Sequence, residues 1–283
     1  MKNIYMIGIG LIGGSFAIDF KKHNPEVVIH GISRKDETLN KALELNLIDK
    51  KATLEDLEKA DLVVISIPVD ATVKLLPTIL DKISDDTLVV DAGSTKEAIC
   101  KVVEHHKRRR NFLACHPIAG TENSGPTAAI SGLYKGKTNI ICEVEKTTFK
   151  LQEKALELFR AIGMRIRYMD PVSHDKHIAY VSHLSHISAF MLGKTVLEKE
   201  KNERDIFDMA GSGFASTVRL AKSSPAMWAP IFKQNKENVI ETLEEYINNL
   251  QQFKELMQQD NFSDIFNEME NTNYIKQILN GIK

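Results

Sequence analysis

The chain has 283 residues, of which 43% are hydrophobic and 27% are charged. This composition excludes a disordered chain, is ordinary for a soluble globular protein, and at this length allows two domains with separate cores. Lysine and arginine number 37 against 38 aspartate and glutamate residues, and the net charge of -1 argues against nucleic acid or an anionic membrane as a partner.

The cysteines and the N-terminus indicate the compartment. Three scattered cysteines fit neither a disulfide framework nor a metal site, which favours a reducing environment. The mostly apolar run at residues 4–18 contains four glycines and is shorter than the roughly 20 residues that span a bilayer. We therefore expect a cytoplasmic protein with no membrane partner, whose ligand is a small molecule.

The first 170 residues alternate short runs rich in valine and isoleucine with longer amphipathic stretches. This alternation is typical of β-α-β units and a parallel sheet. The predicted strands are 3–7, 27–32, 62–67, 88–91, 111–114, 138–142 and 164–168. Helices are predicted between them, such as 36–45 and 147–162. After residue 171 the strand signals stop, and long helical patterns continue to the end with polar breaks at 211–213 and 223–225.

A glycine motif follows the first predicted strand. Residues 8–13 read G-I-G-L-I-G and open a helical pattern, which is the context that dinucleotide binding requires. The first glycine permits a tight turn, the second lets a pyrophosphate approach, the third allows close helix packing, and the helix N-terminus binds the anion. The cofactor-binding residues are therefore predicted to be Gly8, Gly10, Leu11, Ile12 and Gly13. The alternative is a glycine-rich turn that only packs.

We accordingly predict an α/β Rossmann-type dinucleotide-binding domain over residues 1–170, followed by an all-α helical domain over residues 171–283. Cofactor choice depends on the end of the second strand, where an acidic residue would bind the ribose 2′-hydroxyl of NAD. Ser33 and Arg34 stand there instead, and they can bind a 2′-phosphate, while carboxylates come only at Asp36 and Glu37. The sequence therefore favours NADP over NAD. Alternatively, Arg34 stacks on the adenine of either cofactor.

A titratable histidine begins the segment H-P-I-A-G-T-E at residues 116–122. The following proline pushes His116 toward extended geometry, so it should lie at a strand end. An imidazole titrates near physiological pH and can accept a hydroxyl proton while a hydride leaves the same carbon. The alternative is a structural histidine at a turn.

Three further segments accompany this histidine: D-A-G-S-T-K at 91–96, S-H-L-S-H at 182–186, and Arg219 followed by Trp228. With the glycine motif, this ordered set resembles prephenate dehydrogenases along nearly the whole chain. The resemblance implies oxidative decarboxylation of prephenate to 4-hydroxyphenylpyruvate with hydride transfer to NAD or NADP, in tyrosine biosynthesis. A close branch of the family oxidises arogenate. The resemblance also implies a homodimer formed through the helical domain. Because both halves of the family pattern are accounted for within these 283 residues and we find no appended regulatory module, we expect any tyrosine inhibition to act inside the active site.

The resemblance assigns roles residue by residue. His116 matches the family's catalytic base, and Ser94 matches a serine near the same substrate hydroxyl. Arg219 matches an arginine that binds a substrate carboxylate, for which a guanidinium fork is well suited. His186 and Ser182 match substrate-site positions, and their spacing of four places them on one helix face.

The turn after the histidine adds Thr121 and Glu122 as candidates for gating or for contact with the nicotinamide side of the site.

Each assignment has a structural alternative. Ser94 could simply begin the helix after the fourth strand, Arg219 could be a surface charge, and Trp228 fits the core as well as a pocket.

Four histidines in one short stretch raise the question of a zinc site. At about 100° per residue on a continuous helix, the first pair points away from the second pair, so convergence on a metal requires a helix break near Ala179. We expect no metal. The four histidines are His174, His177, His183 and His186.

Two other functions compete with prephenate oxidation. A β-hydroxyacid dehydrogenase shares the domain order but needs a catalytic lysine on a helix of the second domain. We find no lysine there that matches its role better than the histidine set matches prephenate oxidation. A non-catalytic dinucleotide sensor would leave His116 and Arg219 without a role. The sequence does not distinguish prephenate from arogenate.

Overall fold

A computed structural model describes residues 1–201 and 205–281. The strands are β1 (Asn3–Ile7), β2 (Val28–Ile32), β3 (Lys50–Lys51), β4 (Leu62–Ile65), β5 (Leu88–Asp91), β6 (Phe112–Pro117), β7 (Thr138–Cys142) and β8 (Arg165–Met169). The α-helices are α1 (Leu11–His23), α2 (Asp36–Glu44), α3 (Val69–Lys82), α4 (Glu97–Val102), α5 (Phe149–Ala161), α6 (Pro171–Ile178), α7 (Leu184–Glu200), α8 (Ser212–Thr217), α9 (Pro225–Gln234), α10 (Lys236–Gln258), α11 (Phe262–Thr272) and α12 (Ile275–Gly281). A π-helical turn, Ala179–His183, joins α6 to α7.

The strands form one sheet in the order β3-β2-β1-β4-β5-β6-β7-β8. Pairing is parallel from β3 through β6, which confirms the predicted Rossmann-type domain followed by helices. The expectation of parallel pairing is wrong for β6 and β7, which pair antiparallel. In the connection between them, the described residues 118–137 form a 3-10 turn, Pro126–Ala128, and no α-helix. The chain therefore lacks the crossover helix that usually makes neighbouring strands parallel.

Apolar side chains cover both faces of the sheet, as expected for buried parallel strands. On β4, Leu62 and Val64 belong to one core cluster, and Val63 and Ile65 to the other. The first cluster includes phenylalanines of α1 and α5, whereas the second includes α3 together with Trp228 of α9. Helix α9 therefore completes one face of the sheet core.

The chain divides into two compact units, Met1–Asn235 and Lys236–Lys283. In the first unit, α6 contacts α4 and α9 contacts α3, so these helices pack with the sheet. In the second unit, α10 contacts α11. Among the described helices, none is long and apolar enough to cross a membrane.

Strand bounds agree with the sequence for β1, β5 and β7. The strand predicted at 111–114 extends instead to Pro117, because residues 114–117 pair with β7. The strand predicted at 62–67 ends at Ile65. Strand β3 was not predicted, since its two exposed lysines carry no apolar signal.

Candidate active site

The glycine-rich turn joins β1 to α1. Gly8 has a φ of +93°, and a Cβ there would lie 2.5 Å from the carbonyl oxygen of Ser66. A Cβ on Gly13 would lie 2.2 Å from the carbonyl oxygen of Gly8. Gly10 differs, because the nearest atom to a Cβ there is the nitrogen of Gly125, 3.9 Å away. The first and third glycines thus permit close packing, and the second leaves an open cradle.

Helix α1 presents its N-terminus to this cradle. Gly10 is the N-cap and has no side chain to cap the helix. The amides of Leu11, Ile12 and Gly13 therefore lack intrahelical acceptors, and the positive end of the helix dipole lies beside them. These residues fit the pyrophosphate of a dinucleotide.

Ser33 and Arg34 directly follow β2. The Ser33 hydroxyl accepts a hydrogen bond from the amide of Lys35 over 3.2 Å, and Arg34 is exposed. Asp36, one of the nearest carboxylates, lies 2.7 Å from the ammonium of Lys51. The end of β2 therefore offers a hydroxyl and an exposed guanidinium, and this neighbouring carboxylate is already paired.

A buried ion pair holds the loop between β5 and α4. Asp91 accepts hydrogen bonds from the amides of Gly93 and Cys115, over 2.9 and 3.0 Å. Lys96 is fully buried, pairs with Asp91 and donates to the carbonyl of Cys115 over 2.8 Å. The pair thereby ties the loop to β6 immediately before the candidate catalytic histidine.

Ser94 lies in this loop and does not begin the helix. Lys96 is the N-cap of α4, and the amides of Lys96 and Glu97 donate to the carboxylate of Asp175 over 2.7 and 3.0 Å. The Ser94 side chain is half-buried and its hydroxyl makes no hydrogen bond within the described chain. The hydroxyl is therefore available to a ligand.

His116 is the penultimate residue of β6 and is 8% exposed. Its Nδ1 lies 2.8 Å from Nε2 of His174 on α6, and Nδ1 of His174 lies 2.7 Å from Oδ1 of Asp175. Burial, reinforced by His174, Lys96 and His183, lowers the pKa of His116 well below its usual value. The imidazole is therefore neutral near pH 7 and can accept a proton.

A second set of contacts continues from Asp175 toward α7. The Asn235 amide donates to the carbonyl of Asp175 over 2.6 Å and lies 3.2 Å from Nδ1 of His183. The His183 ring meets Trp228 edge to face, and the His186 ring lies 3.6 Å from the Trp228 ring. Trp228 therefore belongs to the core and also contacts a predicted substrate residue.

Ser182 holds His186 through its backbone. Nδ1 of His186 donates to the carbonyl oxygen of Ser182 over 2.9 Å, as the spacing of four along a helix allows. Burial lowers the pKa of His186, and Arg219 is close enough to lower it further. The structure thus brings these three predicted substrate residues into one region.

Arg219 forms an ion pair with Glu122, with 2.9 Å between Nη1 and Oε2. The two side chains are 51% and 26% exposed, so the pair lies at the surface of the site. Thr121 is exposed, and its hydroxyl accepts from the amide of Asn123 over 3.2 Å. The turn after β6 therefore contacts the arginine through its glutamate.

Two residues at the centre of these contacts were not predicted as site residues. His174 entered the sequence analysis only as a possible metal ligand, and Asp175 did not enter it. The helix does change geometry at Ala179, but His174 contacts His116 while His183 contacts Asn235. Among residues 1–201 and 205–281, no group of three or more histidine, cysteine or acidic side chains could hold a metal.

An open glycine cradle at a helix N-terminus, together with a buried histidine in the same unit, is typical of NAD(P)-dependent dehydrogenases. Comparison with known proteins narrows the class. Residues 16–168 match the family model "Prephenate dehydrogenase, nucleotide-binding domain", and residues 170–271 match "Prephenate dehydrogenase, dimerization domain". The chain belongs to the prephenate dehydrogenase family.

Individual relatives agree with this placement. The prephenate dehydrogenase of Bacillus subtilis (strain 168) is 32% identical over 270 residues, which cover 93% of this chain and 72% of that protein. The cyclohexadienyl dehydrogenase of Zymomonas mobilis is 29% identical over 256 residues, covering 89% and 87%. The crystal structure of A. aeolicus prephenate dehydrogenase with hydroxyphenyl propionate and NAD+ superposes with a TM-score of 0.90 at 31% identity, covering 99% of this chain and 98% of that one.

Proposed function

We propose that this chain oxidises prephenate to 4-hydroxyphenylpyruvate with loss of the ring carboxylate as CO2. The observation that carries the proposal is the buried His116 at the end of β6, hydrogen-bonded to His174, in a chain of this family. A bound nicotinamide cofactor would accept the hydride from C4 of the substrate. Gly8, Gly10, Leu11, Ile12 and Gly13 would hold that cofactor, since the cradle at Gly10 is open.

His116 acts as the general base. It takes the proton of the C4 hydroxyl as the C4 hydride departs, which converts the alcohol to a dienone. Cleavage of the bond from C1 to the carboxylate then releases CO2, and its electron pair makes the ring aromatic. The resulting phenolate recovers a proton from the imidazolium, so His116 returns to its starting state. The free Ser94 hydroxyl would hydrogen-bond to the same substrate oxygen and orient it.

Arg219 supplies an anion-binding group for the substrate, and His186 supplies a hydrogen-bond acceptor. Arg219 would bind a carboxylate with its guanidinium, in competition with Glu122. His186 keeps Nε2 for the ligand because its Nδ1 donates to Ser182. Thr121 and Glu122, at the exposed turn, would gate entry to the site.

We favour NADP over NAD as the cofactor. The support is the exposed Arg34, the Ser33 hydroxyl, and the engagement of Asp36 by Lys51, which together suit a 2′-phosphate. The A. aeolicus relative carries NAD+ in its crystal structure, so the two cofactors must be compared directly in this chain.

A homodimer and a cytoplasmic location complete the proposal. The match to a dimerization domain supports the dimer, as do exposed apolar side chains in the second compact unit, among them Ile247, Leu250, Phe253, Phe262 and Phe266. We also propose a functional boundary at residue 170, since β8 ends at Met169 and the two family matches adjoin there. The cytoplasmic location is supported by the three free cysteines.

Product analysis tests the reaction. With prephenate, the proposal requires one CO2 and one 4-hydroxyphenylpyruvate for each cofactor reduced. Arogenate is the second candidate substrate and would yield tyrosine and CO2. A larger kcat/KM for arogenate would reassign the substrate, and cofactor reduction without CO2 from either compound would refute the proposed reaction.

A further inference from the structure

His116, His174 and Asp175 form a buried row of hydrogen-bonded side chains. Of these three, only His116 was assigned to catalysis from the sequence. His174 stands between His116 and Asp175, and the two linking distances are 2.8 and 2.7 Å. His174 and Asp175 are 1% and 2% exposed. Water therefore does not compete for these hydrogen bonds, and their partners are protein groups.

The backbone amides at the start of α4 determine the direction of the hydrogen bonds. Amides only donate, and those of Lys96 and Glu97 both point to the Asp175 carboxylate. The carboxylate thus acts as an acceptor, and Nδ1 of His174 donates to it. With its single ring proton on Nδ1, His174 carries its lone pair on Nε2 and accepts a hydrogen bond from Nδ1 of His116 across the 2.8 Å contact.

We propose that His174, held by Asp175, is a positioning residue that keeps the lone pair of His116 on Nε2, the nitrogen that takes the substrate proton. The inference rests on the proposed function. His174 also keeps the His116 ring in one orientation, and it continues to accept the Nδ1 hydrogen bond when His116 becomes an imidazolium. A histidine held in one tautomer by a hydrogen bond to its other nitrogen is a general arrangement for bases of this kind.

The other groups near His116 have partners of their own, so His174 is the group that selects the His116 tautomer. Lys96 and His183 are the other charged or titratable groups that influence the ring. The Lys96 ammonium is committed to Asp91 and the Cys115 carbonyl, and Nδ1 of His183 faces Asn235. Among the described residues, His174 alone is hydrogen-bonded to the His116 ring.

Two substitutions separate positioning from packing. His174→Phe keeps a ring of similar size but has no acceptor, whereas His174→Gln keeps an acceptor oxygen near the position of Nε2. In the full-length protein with saturating cofactor, we expect His174→Phe to lower kcat with prephenate on the order of 10- to 100-fold, as supporting residues of catalytic sites do, with KM little changed. His174→Gln should recover most of kcat.

Nitrogen-15 spectra of the histidine rings supply a readout that packing alone would not change. In the wild type we expect His116 to carry its proton on Nδ1, and in His174→Phe to populate both tautomers. A wild-type His116 protonated on Nε2 overturns the proposal, and so does equal loss of kcat in both variants with the Nδ1 tautomer retained. If His174→Phe does not fold, the wild-type spectrum and His174→Gln still decide. The spectrum does not depend on turnover, so a wild type inactive with prephenate would refute the proposed function separately.

Discussion

The two glycines Gly10 and Gly13 should respond differently to the same added methyl group. At Gly13 an alanine Cβ would lie 2.2 Å from the carbonyl oxygen of Gly8, so the turn or the helix must shift. Such overpacking costs about 1–3 kcal/mol of unfolding free energy. At Gly10 the nearest atom is 3.9 Å away and φ is −95°, which alanine adopts freely. The only folding cost there is a poorer N-cap, below about 1 kcal/mol.

Cofactor binding should rank the two variants the other way: Gly10→Ala should weaken it more than Gly13→Ala does. The Gly10→Ala methyl occupies the space into which we place the pyrophosphate, so Kd for NADP should rise at least about tenfold, or 1.4 kcal/mol. Chemical denaturation without cofactor measures stability, and a fluorescence titration of each variant measures Kd. Wild-type affinity in Gly10→Ala would refute the placement of the pyrophosphate. Wild-type stability in Gly13→Ala would refute the packing argument.

Three further outcomes follow from the site. Arg34→Ala should raise KM for NADP on the order of tenfold through loss of a charged hydrogen bond, and leave KM for NAD unchanged; equal effects on both would point to adenine stacking. Arg219→Ala should raise KM for prephenate at least about tenfold. The free energy of unfolding should change by less than about 1 kcal/mol, because the ion pair of Arg219 is exposed. An unchanged KM would remove Arg219 from the substrate site. Burial lowers the pKa of His183 from 6.5 to about 4, so as the pH drops the unfolded chain binds this proton before the folded chain does. The contribution of His183 to the free energy of unfolding is therefore complete above pH 6.5 and should be lost as the pH drops toward 4. Denaturation at several pH values should show a shallower fall in His183→Phe, and identical slopes would contradict the assignment.

Local patterns predicted the elements that depend on neighbouring residues. The strands β1, β5 and β7 have the bounds expected from short apolar runs flanked by turn residues. The glycine motif likewise has the contacts that its spacing implies, because a tight turn between a strand and a helix constrains the same few residues. The antiparallel β7 could not be read from its own residues, since its direction depends on the connection that precedes it.

The contacts that complete the site join residues far apart in the chain. His116 and His174 are 58 positions apart, and Asp175 caps α4 from 79 positions away. Neither contact has a periodic or compositional signal, because each depends on where α6 packs, against β6 for His174 and against α4 for Asp175. The sequence did indicate His116, Arg219 and His186 through resemblance to the family, but the partners of these side chains came from the structure.

The central claim is that His116 is the base of a prephenate-oxidising dehydrogenase. The most direct test follows absorbance at 340 nm with purified protein, prephenate and either NADP or NAD. It compares the wild type, His116→Asn and the control His177→Asn, which changes an exposed histidine on α6. We predict cofactor reduction by the wild type and the control, and its loss in His116→Asn by on the order of 100-fold or more. A wild type that binds the cofactor but reduces none, or a His116→Asn variant as active as the control, would contradict the account.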